Sequence, residues 1–113
     1  MSTYVAVFAL ALSGSDVFYS GVGLDLMVAR IPKAGGMAQT LIANEIGLNI
    51  AVRDTRVYLV AIDETLSTLI SSVGTDGSGF RIVKTLELDS AALGLDDCAI
   101  YYAAASSIQR TPR

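Results

Sequence analysis

The 113-residue chain has no histidine, no tryptophan, one cysteine and two prolines. The missing histidine removes the commonest general base, the Ser-His-Asp and Cys-His nucleophile arrangements, and the usual zinc sites. The single Cys98 cannot form a disulfide within the chain and has no cluster of metal-ligating residues around it. It lies in the apolar run "DDCAIYYAAA" and reads as a buried small hydrophobe. Positive charge is scarce as well. The formal net charge is −3, the first basic residue is Arg30, and only "QRTPR", with Arg110 and Arg113, gathers basic residues. That balance argues against a general nucleic-acid binder, which needs a basic face to displace counterions. The apolar run in "MSTYVAVFALALSGSD" falls short of the roughly 20 residues needed to cross a bilayer. No Lys or Arg precedes it, as one would in a secretory signal. It reads as a buried strand, and no membrane partner is expected.

What the chain does have is apolar bulk, 52% of its residues. A small monomer has a high surface-to-volume ratio, and burial between subunits is the simplest way to hide so much apolar side chain. The composition therefore points to a homo-oligomer built from a single domain, residues 1–113. Its expected class is α+β.

Within that domain, residues 1–32 form a β-rich section. "TYVAVFALAL" is apolar at both odd and even positions, as in a strand covered on both faces or facing a neighbouring subunit. Two shorter strands follow around Gly21 and Gly23, and Pro32 with "KAGG" closes the section. Residues 37–73 read as mainly helical, 80–105 as C-terminal strands and 106–113 as a loose tail. In "FRIVKTLELD", Phe80, Ile82 and Lys84 fall on one side and Arg81, Val83 and Thr85 on the other. No internal repeat is evident.

The region from Leu48 to Val73 carries the central expectation. Leu48, Val52, Thr55, Leu59, Ile62, Leu66, Leu69 and Val73 alternate in steps of four and three, the a/d spacing of a coiled coil. These eight residues are the candidate oligomer interface. A second reading stays open: "LNIAV" and "RVYLVAI" are rich in β-branched residues and "RDT" can turn between them, giving a hairpin followed by a short helix capped at Asp63. That hairpin also accounts for Ile50, Val57 and Val60, which lie off the helical seam.

No set of residues in the sequence points to a reaction. Eleven carboxylates are scattered, most at expected turns or caps, where Asp bonds its own backbone. "TDGSG" lacks the remaining oxygen ligands of a calcium loop, and "GVG" and "AGG" do not continue into a phosphate-binding motif. No catalytic, metal or cofactor residue is assigned.

Two segments carry a resemblance. "AIDETLSTLISSVGTDGSG" is similar to the short helical segments with a glycine spacer in tailed-bacteriophage structural proteins, and "VKTLELDSAALGLDD" resembles the strand-and-turn runs of such proteins. The resemblance implies a virion component without an active site: a decoration, cement or fibre-like protein, often trimeric, attached to capsid or tail proteins. Its alternative is a cellular binding or assembly module, cytoplasmic or secreted.

Overall fold

The computed structural model describes residues 6–22, 26–63, 65, 67–86, 93–104 and 107–113. Among these there is no helix, hence none long and apolar enough to cross a membrane. The described chain is all-β, which overturns the α+β class and the mainly helical stretch over 37–73. Among the described residues, eleven strands form three antiparallel sheets, each a simple up-and-down meander. The first sheet holds β1 (Ala6–Ser13), β2 (Asp16–Val22), β3 (Leu26–Pro32) and β4 (Gln39–Ala43). The middle sheet holds β5 (Glu45–Arg53), β6 (Arg56–Asp63), β7 (Thr68–Gly74) and β8 (Arg81–Thr85). The third holds β9 (Leu93–Leu95), β10 (Ala99–Ala104) and β11 (Ser107–Pro112).

The hairpin of the second reading is adopted over residues 48–62, but its short helix after Asp63 is not, because Thr68–Gly74 pairs as strand β7. Val52 pairs with Val57 and Arg53 with Arg56, leaving a two-residue loop whose first member, Asp54, is left-handed at φ 57°. Asp tolerates that conformation better than most residues, and the β-branched flanks favour the pleated strands on either side. The four-three spacing arises because the middle sheet is buried on both faces. Residues of both parities are then apolar, and a helical seam can be traced through strands that contain no helical turn.

The sheets stack face to face with the middle one between its neighbours. β5, the first strand of its sheet, lies against β1, β2 and β3 on one side and β9 on the other. One core cluster fills the first gap, with Phe18, Val28, Ile50, Val57, Leu59 and Val73 among its members. A second fills the other, with Tyr58, Val60, Ile70, Ile100 and Tyr102. Successive meanders packed through their first strands are the arrangement of blades in a β-propeller.

Three further expectations are corrected. Residues 107–112 are a paired strand, because β11 hydrogen-bonds along β10, and not a loose tail. Cys98 is exposed, since it sits in the β9–β10 turn rather than inside the strand that follows. In β8 the half-buried residue is Val83, with Phe80 and Ile82 exposed, so the covered side of the strand is the one that carries Val83. β1 is covered on one side only: Ala9 and Ala11 pack against the core while Leu10 and Leu12 are exposed.

Candidate protein-interaction face

The three sheets repeat one hairpin. "LALSGSDVFY", "IAVRDTRVYL" and "LGLDDCAIYY" begin at Leu10, Ile50 and Leu93. In each, two apolar residues flank a small one, four residues make the turn, and an apolar strand returns. The pairings superpose: Leu12 with Val17, Val52 with Val57, Leu95 with Ile100. The bulge between Val7 and Ala9 recurs between Gly47 and Asn49. A spacing of roughly 40 residues is that of four-stranded propeller blades. The expectation of no internal repeat is therefore wrong. The signal lay in alternation and turn length, because residue identities have diverged.

Each sheet has two faces of different character. One is turned toward the preceding sheet: Ile50, Val52, Val57 and Leu59 in the middle sheet, Leu93, Leu95, Ile100 and Tyr102 in the third. The same positions in the first sheet are Leu10, Leu12, Val17 and Tyr19, and they are not closed over. Leu10 is 60% and Leu12 64% exposed, with Val17, Tyr19 and Ile31 half-buried beside them. The opposite face is turned toward the following sheet. Phe18 and Tyr58 are covered there at 2% exposure each, whereas their counterpart Tyr101 is partly open. Val28 and Ile70 are fully buried on that face, and their counterpart Ile108 is 71% exposed. Both ends of the stack thus present faces of the kind the interior hides.

The expected oligomer interface lies elsewhere. Leu59, Leu69 and Val73 are core residues between the first two sheets, with Val52 packed against them. Leu48 packs in the second gap. Thr55 is exposed in the β5–β6 turn and Ile62 is half-buried at the end of β6, while Leu66 lies outside the described residues. The structure brings most of this set into the interior of one chain and does not gather it on a surface.

Polar groups at the turn ends tie the sheets together. Gln39 accepts a hydrogen bond from Arg30 (2.8 Å) and donates one to the Asp76 carbonyl (3.0 Å), joining first sheet to middle. Arg53 pairs with Asp97. The Arg113 guanidinium donates to the Tyr58 hydroxyl (3.0 Å), to Asp54 (2.8 Å) and to the carbonyls of Asp96 and Asp97. It also lies 5.3 Å from the Tyr58 ring centre. Arg113 and the Arg53–Asp97 pair therefore clamp third sheet to middle. Asp63, Asp76 and Asp96 accept bonds from residues two to five positions ahead, and these bonds hold each carboxyl below its usual range. Asp25, Glu64, Glu87 and Asp89 lie outside the described residues.

One cleft opens beside the β4–β5 junction, about 390 Å³, lined by Leu41, Ile42, Asn44, Glu45, Asp63 and Phe80 among others. Glu45 is buried there. Desolvation raises its pKa, against a hydrogen bond from the Ser71 hydroxyl (3.0 Å), and the nearby Asp63 charge raises it further. A raised carboxyl contributes stability that is present below the ordinary carboxylate range and lost as pH rises through the folded value. Glu45→Gln is therefore expected to unfold at higher urea than the parent near neutral pH, with the gap narrowing at about pH 4. Urea titrations at the two pH values check this, and a gap that ignores pH would contradict it. No group of three or more His, Cys, Asp or Glu among the described residues is placed to hold a metal ion.

No protein-family model matches the chain, and no curated protein matches its sequence. Among solved structures, a chain from the crystal structure of a nidogen/laminin complex is similar, with a TM-score of 0.75 and 15% identity. The likeness is one of fold. It covers 94% of this chain and 44% of that one, so the chain spans less than half the length of its structural neighbour.

Proposed function

We propose that the chain is a non-catalytic protein-interaction module, a stack of blade-like sheets that binds a protein partner through an open end face. The observation that carries this reading is the exposure of Leu10 and Leu12 beside Val17 and Tyr19, at positions whose counterparts are packed in both other sheets. An apolar patch of that kind marks an interaction site more often than a solvated surface. The paired nature of the nidogen/laminin structure accords with a binding role for such a fold. Asp63, Asp76 and Asp96 cap turns and the chain has no histidine, which favours a binding surface over a reaction. Attachment to a capsid or tail is the form of this function that the bacteriophage resemblance implies. Among the described residues of the two segments that carry it there is no helix, and the first segment folds through β7 into the β7–β8 turn.

A photo-reactive amino acid at position 12, compared with one at the exposed turn residue Thr55, tests the reading in producing cells. Discrete protein adducts from position 12 and none from position 55 are expected. No adduct, or the same smear from both positions, would contradict it.

A further inference from the structure

The two open faces of the stack complement each other. The first sheet exposes the face that, in the middle and third sheets, receives a preceding sheet. The third sheet exposes the face that, in the first and middle sheets, is covered by a following one. Tyr101 stands where Phe18 and Tyr58 stand, Ile108 where Val28 and Ile70 stand, and Arg110 where Arg30 stands. The join missing at one end is therefore the join missing at the other. From this geometry, and resting on the reading of the chain as a protein-interaction module, we propose that the occupant is a second copy. The third sheet of one chain packs on the first sheet of the next, and two copies close head to tail into a ring of six sheets.

The number follows from the repeat. A head-to-tail contact between unlike faces makes a ring if it closes and a filament if it does not. Rings of blades hold about four to eight sheets, and six is the one multiple of three in that range. The structural neighbour is itself more than twice the length matched here, enough for a second set of this size.

The contact can be written at residue level. Between the first two sheets, the Ser20 hydroxyl accepts a 2.6 Å bond from the Gly47 amide, and a Cβ added at Gly47 would lie 3.1 Å from the Ser20 Cβ. The repeat carries Ser20 to Ala103 and Gly47 to Val7. Val7 is 56% exposed in the single chain. Across the new join, the larger Val7 would face the smaller Ala103, in place of a glycine facing a serine. Two positions this close suit a disulfide, which spans about 3.5–4.5 Å between Cβ atoms. Within one chain they lie on opposite ends of the stack, with the middle sheet between them.

The test is made on the full chain with Cys98→Ser, carrying either Val7→Cys or Ala103→Cys. Mild oxidation of the mixture is expected to link the two variants, while neither links to itself. The parent should sediment at twice 11.8 kDa, and Leu12→Asp should sediment as a monomer with an unchanged β-type circular dichroism spectrum. A Val7→Cys chain that links to itself would overturn the head-to-tail join. An open ladder of masses would overturn the closed ring. A monomeric parent whose position-12 cross-linker captures a different protein would overturn the second copy and leave the interaction module standing. No adduct from position 12 at all would remove both.

Discussion

Leu59→Asp is expected to unfold the chain, not to release monomers from an oligomer. Leu59 is fully buried between the first and middle sheets, among Phe18, Ile50, Val57 and Val73. A carboxylate there has no cation beside it and no water, so the cost is about 4 kcal/mol or more, comparable with the whole stability of a small domain. The far-ultraviolet spectrum should lose its β character and the chain should sediment as an expanded monomer. Leu12→Asp gives the contrast, since the same charge on the open face meets solvent and leaves the fold intact. A folded, soluble Leu59→Asp chain would place the core elsewhere.

Gly47→Val is expected to cost about 3 kcal/mol, from overpacking and a strained buried hydrogen bond together. A Cβ at this position meets the Ser20 Cβ at 3.1 Å, its hydroxyl at 3.2 Å and Leu59 at 3.4 Å, all inside the closed join. The branched side chain has to push the two sheets apart, and the Ser20–Gly47 bond lengthens as they separate. Ser20→Ala removes the acceptor without adding bulk and should cost less, about 1–2 kcal/mol for a buried amide left unpaired. Urea denaturation of the two variants measures both. Equal and negligible losses would mean that the first two sheets are not held at this point.

The open first-sheet face at Leu10 and Leu12 could have been read from the sequence, but only through the repeat. "LALSGSDVFY" looks doubly buried in isolation because Ala9 and Ala11 face the middle sheet while Leu10 and Leu12 are equally apolar. Alternation shows that both parities are apolar and not which one is covered. Setting it beside "IAVRDTRVYL" gives the answer, since Ile50 and Val52 carry out in the interior what Leu10 and Leu12 offer at the surface. The heptad over Leu48 to Val73 misleads for the same physical reason. In a strand buried on both sides, packing selects apolar residues at every position, and the spacing no longer reports a period. The hairpin was legible in the β-branched runs on either side of "RDT". The clamp by Arg113 was not, because the sequence says nothing of the register that carries a chain terminus back to Tyr58 and Asp54. Cys98 was misplaced by the width of one turn: the apolar run it belongs to begins structurally at Ala99, and the Asp96 carboxylate accepts the backbone bonds of both Cys98 and Ala99.

A middle sheet closed on both faces stands between two outer sheets each open on one. Amide hydrogen exchange of the folded chain, resolved by residue, tests this most directly. Exchange slowest in β6 and β7, where Val57–Ala61 and Leu69–Val73 are buried on both sides, is the predicted result. A slowest-exchanging set in β1 and β2, or in β10 and β11, with β6 and β7 exchanging first, would contradict it.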